Sequence, residues 1–439
     1  MTTERNSSPK TGASAAVATG SRPAFPAVIA GIVLACGAVV ACFGPDAKER
    51  WVVPPGWTAT RGGEGGRIIP VTTLAERGPG SLAEALAAKG PHVISFAVAG
   101  TIDLGGHSLQ VKEPRVTIAG ETAPSPGITL VNGGIGIATN DVIVRHIRIR
   151  PGAGGRPKKS GWEIDGLATV GAHDVIVDHC SITWATDENL SASGPRFEGD
   201  TPDEWRKNTS HRITFSHCIV GEGLHDSTHR KGPHSKGSLV HDNTTDIAII
   251  GNLYISNDDR NPLFKGGARG VVVNNLVHNP GRRAMHFALV EGEWEGHEWQ
   301  RGAMAIVGNV ARKGPSTAPG TAFIGAKGPC DLHLRDNLFF DADGTALPID
   351  PDASAERPRS TAAGGGDGVR LIDSPPMWPP RLKARPAHET TAWVLANAGA
   401  RPWDRDATDR RLIEAARSGG GKIIHSESEV PEATRPRQP

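Results

Sequence analysis

Seven segments of this chain repeat one pattern: a run of β-branched or apolar residues, then His or Asn, then a small or apolar residue. They are VIVRHIRIR (142–150), VIVDHCSIT (175–183), ITFSHCIVG (213–221), IAIIGNLYI (247–255), VVVNNLVHN (271–279), MAIVGNVAR (304–312) and LHLRDNLFF (332–340). Aligned on the polar residue, they place His146, His179, His217, Asn252, Asn275, Asn309 and Asn337 in one column. Ile147, Cys180, Cys218, Leu253, Leu276, Val310 and Leu338 form the next. Successive members of the column lie 23 to 38 residues apart. Strand-length repeats at such intervals mean a solenoid or a propeller. No fixed blade signature appears, and the steps are irregular, which suits a coil whose loops vary in length. The pattern predicts a parallel β-helix in which each coil stacks on the last. The polar column then becomes an internal ladder, because buried Asn and His must be hydrogen-bonded and stacked copies can bond one another. Seven in-phase matches argue against unrelated strands of a sandwich.

The ends of the chain read differently. Residues 1–23 are polar, with Arg5, Lys10 and Arg22, and residues 24–43 (AFPAVIAGIVLACGAVVACF) are uncharged and apolar. Residues 1–50 therefore read as a signal segment or a single membrane anchor. Within them, Val39-Val40-Ala41-Cys42 resembles a lipobox, which would lipidate Cys42 and attach the protein to a membrane. Either reading places the rest of the chain outside the cytoplasm: secreted, periplasmic or at the cell surface. Residues 51–345 are expected to form the β-helix. Ser81 and Glu84 make a capping-box pattern for a short helix that covers the open first coil. Residues 346–388 are rich in Pro and Gly and read as a linker. Residues 389–439 are expected to be a helical extension, with helices near 389–398 and 406–418. The second of these has Asp406 at its start and Gly419 at its end.

Charge and cysteines narrow the class. The 48 Lys and Arg nearly balance the 47 Asp and Glu, for a net charge of +1. No bulk field favours nucleic acid, so an acidic substrate must be met by local cations. A monomer is expected. Beyond the leader, Cys180, Cys218 and Cys330 are an odd number, so the chain is no disulfide scaffold. Cys180 and Cys218 share a column one coil apart. Packing as small apolar residues is favoured over a cross-link.

The segments GGRIIPVTTLAERGPGSLAEAL (65–86), SFAVAGTIDL (95–104), VTIAGETAPSPGITL (116–130), VIVDHCSITWATDENLS (175–191), GEGLHDSTHRKGPHSKGSL (221–239), NDDRNPLF (257–264) and VVVNNLVHNPG (271–281) occur in an order that resembles the pectate lyase family, polysaccharide lyase family one. The match runs over about 60–345, and the tail at 400–426 resembles that of a bacterial subgroup. The resemblance implies a right-handed parallel β-helix. It also implies an extracytoplasmic enzyme that cleaves polygalacturonate by β-elimination with calcium (Ca2+).

That chemistry asks for particular groups. The proton at C5 of a uronate is only weakly acidic, because the adjacent carboxylate opposes a carbanion. A cation on that carboxylate relieves the opposition, and a base must take the proton. Calcium prefers several carboxylate oxygens. The resemblance makes Asp165 and Asp187 calcium ligands. A second family carboxylate is replaced here by Ser191, and neighbouring Glu188 is expected to take its place. Arg260, in Arg-Asn-Pro, matches the family's catalytic arginine, although a guanidinium normally stays charged. Lys265 matches a family residue that holds substrate carboxylate. Lys236 sits near a substrate-binding lysine, with Lys231 as its competitor. The run 225–236 (HDSTHRKGPHSK) reads as a basic loop over the groove. Its His225, His229 and His234 are not read as a zinc site, because Gly232-Pro233 breaks the helix that their spacing would need. Asp178 and His179 resemble an acid–base pair, but the column assigns them structural roles. Rival readings are a calcium-independent pectin lyase and a non-catalytic β-helix that binds acidic polysaccharide. A hydrolase on the same fold would need paired carboxylates without a central cation.

Overall fold

The computed structural model describes residues 51–294, 296–349 and 368–431, so the expected leader and Cys42 lie outside the described residues. Three parallel sheets wind into a right-handed β-helix, as the column predicts. The long sheet has eleven strands, running from Arg67–Val71 to Val369–Leu371. The flank sheet has nine, from Gly100–Asp103 to Leu338–Phe340, and the mouth sheet has eight, from Leu109–Val111 to Ile324–Lys327. A typical coil passes from the long sheet through a two-residue corner to the flank sheet, then through a variable loop to the mouth sheet. Inward positions carry Val, Ile, Phe and Leu from all three sheets, and these form one continuous core. A helix at Leu82–Leu86 lies against the first coils, and its N-cap Ser81 accepts from the Glu84 N–H. The Glu84 carboxylate takes the Gly80 N–H at 2.6 Å, so the cap is only partly the expected box.

The corner corrects the sequence alignment by one residue. Ile219 pairs with Leu253, so Cys218 stands beside Asn252, not beside Leu253. The true inner column is Ile147, Cys180, Cys218, Asn252, Asn275, Asn309 and Asn337. The residue before it adopts positive φ in every coil: His146 58°, His179 50°, His217 51°, Gly251 68°, Asn274 53°, Gly308 68° and Asp336 50°. That conformation favours Gly, Asn, Asp and His. Aligning by polarity put His and Asn together, whereas the backbone groups His with Gly, Asn and Asp.

The inner amides form the expected ladder over the last four coils. Asn252 Nδ2 donates to Asn275 Oδ1 at 2.9 Å, Asn275 to Asn309 at 3.0 Å and Asn309 to Asn337 at 3.1 Å. Each Oδ1 also accepts the backbone N–H of the preceding rung. Replacing Asn275 by Ala strips Asn252 of a buried acceptor. The loss is expected to be about 1–3 kcal/mol of stability, with little change in low-temperature activity. A thermal melt that matches wild type would contradict this role.

The three histidines instead stack on the outside of the corner. His146 and His179 have ring centroids 5.0 Å apart, and His179 and His217 4.5 Å apart. Asp178 accepts from both His179 Nδ1 and His217 Nδ1 at 2.9 Å, and also from Trp51 Nε1 at 2.8 Å. Asp178 and His179 therefore hold the corner together. Cys180, Cys218 and Cys330 are buried free thiols.

The C-terminal region packs back onto the β-helix. Residues 369–371, inside the expected linker, pair with the strand Cys330–Arg335 and extend the long sheet. Trp378 and Leu382 pack with Ala248, Ile250, Val271 and Val273. Helices Ala387–Asn397 and Ala407–Ser418 contribute Val394, Leu395, Leu412 and Ile413 to a second apolar cluster with Ile219, Leu253, Ile255, Leu276 and Val310. The second helix is pinned by charge. Arg150 meets Asp406 at 2.7 Å and Asp409 at 3.0 Å, Arg148 meets Asp409 at 3.3 Å, and Ser181 donates to Asp409 at 2.7 Å. Pro/Gly-rich composition signals irregular backbone and does not disclose what that backbone covers.

Candidate active site

Asp165, Glu188 and Lys236 stand at or just before the starts of neighbouring mouth-sheet strands. Leu167 pairs with Leu190, Glu188 with Lys236, and Lys236 with Asp259. Parallel strands lie about 4.8 Å apart, so residues far apart in sequence share one small area. Asp187 precedes the strand Glu188–Ser193, and Arg260 lies in the loop before Leu263–Lys265.

The structure brings Asp165, Asp187 and Glu188 together: one carboxylate oxygen from each lies within 4.8 Å of the others. Ser191, where the family pattern has a carboxylate, donates its hydroxyl to Asp165 Oδ2 at 2.6 Å. The Glu188 N–H donates to Asp165 Oδ1 at 3.1 Å. Burial, and the charge of Asp187, push the Asp165 carboxyl up to about 7. Burial also disfavours charge on Asp187, but the His234 hydrogen bond and the charges of His229 and Arg260 hold its pKa below the usual carboxylate range. Three converging carboxylates, one of them resisting ionisation, make an oxygen-rich donor set. That donor set fits a hard divalent cation such as calcium.

Arg260 reaches the same place. Its Nη1 is in contact with Glu188 Oε1. Burial lowers its pKa, opposed by Asp187, Asp165 and Glu293 and assisted by Arg283. The cause is mainly lost hydration. Its backbone holds φ at 63°. A side chain costs roughly 1–2 kcal/mol in that region, and such strain persists where the surroundings over-determine it. The Arg260 N–H donates to Asp259 Oδ1 at 2.9 Å.

The lysines are placed differently from one another. Lys236 is buried against Asp259 at 3.2 Å. Lys265 is buried too, between Asp242 at 3.1 Å and Glu293, whose charge also acts on Arg260. Lys231 is exposed, as is Arg230, which pairs with Glu163 at 3.0 Å. Lys231 of the expected basic loop is thus exposed, while Lys236 and Lys265 hold the buried carboxylates of Asp259 and Asp242.

Sequence reasoning missed the partners of these groups. His234 Nε2 bonds Asp187 Oδ1 at 2.8 Å, and the His229 ring stacks on His234 with centroids 3.6 Å apart and planes 8° apart. Both rings turn Nε2 toward Asp187 Oδ1, His234 at 2.8 Å and His229 at 3.6 Å, and one ligand atom from each of the three residues lies within 4.8 Å of the others, so the pair orients Asp187. His225 lies elsewhere, beside His425 and Asp258. Asp242, Asp259 and Glu293, which neutralise the lysines, carry no local signature. Only long-range pairing reveals them.

Carboxylates and an arginine thus gather along one sheet edge of the β-helix. No protein-family model matches the chain. A protein of Neosartorya fischeri described as "Probable pectate lyase C" is 32% identical over 373 residues, covering 84% of this chain and 77% of that one. One from Emericella nidulans with the same description is 32% identical over 374 residues, covering 84% and 76%. The chain belongs to the pectate lyase family. A solved pectate lyase bound to a hexasaccharide shares the fold, with a TM-score of 0.54 at 14% identity, covering 82% of this chain and 100% of that one. The two sequence relatives are fungal and do not bear on the bacterial subgroup suggested by the tail.

Proposed function

We propose that the protein is an extracytoplasmic pectate lyase that cleaves polygalacturonate by calcium-assisted β-elimination, leaving 4,5-unsaturated ends. The observation that carries this reading is the meeting of Asp165, Asp187 and Glu188 with Arg260 at one sheet edge. The three carboxylates would hold calcium. When bound, the ion neutralises the uronate carboxylate and stabilises the enolate-like state at C5. Arg260 is the base. Its burial favours the neutral guanidine, the form that can accept the C5 proton at a terminal nitrogen. The C5–H electrons form the C4–C5 double bond, and the glycosidic oxygen leaves C4 and takes a proton from water. His234 and His229 keep Asp187 ionised and oriented. Lys231 meets uronate carboxylates from the groove rim, and Lys236 and Lys265 do so when substrate competes with their buried partners. The apolar 24–43 segment supports an extracytoplasmic location. Among the described residues no helix is long and apolar enough to cross a membrane.

The test is ultraviolet absorbance of unsaturated product from polygalacturonate, with and without chelator. Chelation is expected to abolish activity and added calcium to restore it, with Asp187→Ala needing more calcium for the same rate. Full activity in excess chelator would reject the calcium site and favour a calcium-independent enzyme for methylated pectin.

A further inference from the structure

A second amide ladder, separate from the corner ladder, lies directly beneath the site. It consists of Asn189, Asn257 and Asn261, which are 0%, 0% and 1% exposed. Asn189 Oδ1 accepts the Ala185 N–H at 3.1 Å, and its Nδ2 donates to Gly221 O at 3.2 Å and to Asn257 Oδ1 at 3.1 Å. Asn257 Oδ1 also accepts the Gly223 N–H at 3.1 Å, and its Nδ2 donates to Val220 O and to Asn261 Oδ1, both at 3.0 Å. Asn261 Nδ2 donates to Arg283 O at 3.0 Å. The chain of bonds thus crosses from the coil of Asp187 and Glu188, through the coil of 220–223, to the coil of Arg260, and ends on the coil after it.

The placement within the sequence is as telling as the bonds. Asn189 directly follows Asp187 and Glu188. Asn261 directly follows Arg260. Asn257, the middle rung, is three residues from Arg260 and bonds both of the others. The mouth-sheet ladder is also irregular here. Lys236 pairs with Asp259 and Leu239 with Leu263, so three residues on one strand match four on the next. Regular strand pairing therefore does not fix the height of Arg260 over the carboxylates. The amide chain supplies what the sheet leaves unset.

We propose that Asn257, with Asn189 and Asn261, is a positioning residue that sets Arg260 at its working distance from the carboxylate site. It touches no substrate and acts through the backbone of the two loops. The inference rests on the reaction proposed above. Misplacing a base by about 1 Å costs on the order of 100-fold in rate, while uronate binding, which relies on cations elsewhere in the groove, stays nearly intact.

The test compares wild type, Asn257→Ala and Asn275→Ala on polygalacturonate at saturating calcium, well below every melting temperature. Both variants lose a buried amide rung, but only one rung underlies the site. Melting temperatures are expected to fall comparably. Turnover is expected to fall on the order of 100-fold in Asn257→Ala alone, with nearly unchanged KM, and to recover in part in Asn257→Ser, which retains a short hydroxyl. Wild-type turnover in Asn257→Ala, or equal losses in both Ala variants, would overturn the proposal. Should Asn257→Ala fail to fold, Asn257→Ser carries the comparison: reduced turnover at unchanged KM supports the ladder, and wild-type turnover rejects it. An inert wild type rejects the reaction and this inference with it, whereas an active wild type with an active variant rejects only the ladder.

Discussion

Arg260→Lys is expected to bind polygalacturonate almost as well as wild type and to lose nearly all turnover. Lysine keeps a cation beside Glu188 but lacks the flat, forked guanidinium and its reach. Its single nitrogen cannot stand beside Glu188 and also occupy the position of the second terminal guanidinium nitrogen, so no basic atom is left facing C5. Ground-state attraction survives and proton removal does not, so kcat falls while KM changes little. Steady-state kinetics on polygalacturonate at saturating calcium check this. Wild-type turnover in the lysine variant would show that another group is the base.

Asp409→Ala carries the largest expected effect on stability. Asp409 is fully buried and accepts from Arg148, Arg150 and Ser181. Removing it leaves two guanidinium groups, each with 1% side-chain exposure, short of counter-charge. Breaking a buried pair in this way costs about 3–5 kcal/mol. Asp406→Ala should cost less, because Asp406 keeps 22% side-chain exposure and water can replace it. Denaturant titration of both variants checks the order. An Asp409→Ala midpoint equal to that of wild type would mean that the charge network adds nothing to the docking of the helix.

Much of this architecture was legible because solenoids repeat. The strands around Val175, Ile213, Ile247 and Val271 announced themselves by β-branched runs, and the amides at Asn252, Asn275 and Asn309 announced a ladder. The one-residue slip at His146, His179 and His217 has a physical origin. Composition reports polarity, but the corner selects for positive φ, a property that His shares with the Gly before Asn252 and the Asn before Asn275. The site divided in the same way. Asp165, Asp187, Glu188 and Arg260 are candidates by their chemistry and their motifs. His234, Asp259 and Glu293 are not, because their meaning lies in partners 47, 23 and 28 residues away. The C-terminal helices were visible from Asp406 and Gly419, yet nothing local shows that their charges belong to Arg148 and Arg150.

The clamp across the flank sheet bears on how such a chain can evolve. A free solenoid contacts only its neighbouring coils, so lineages can lengthen it by duplicating a unit. Here one helix pair spans the stack, with Asp406 and Asp409 fixed on early coils and the preceding helix lying on the strands Leu276–His278 and Val310–Arg312. A duplicated coil between those anchors would move them apart by about 4.8 Å, enough to tear either the ion pairs or the apolar seat. The clamp thus works as a gauge of length. It tolerates variation in the loops, where substrates are met, and forbids it in the number of turns.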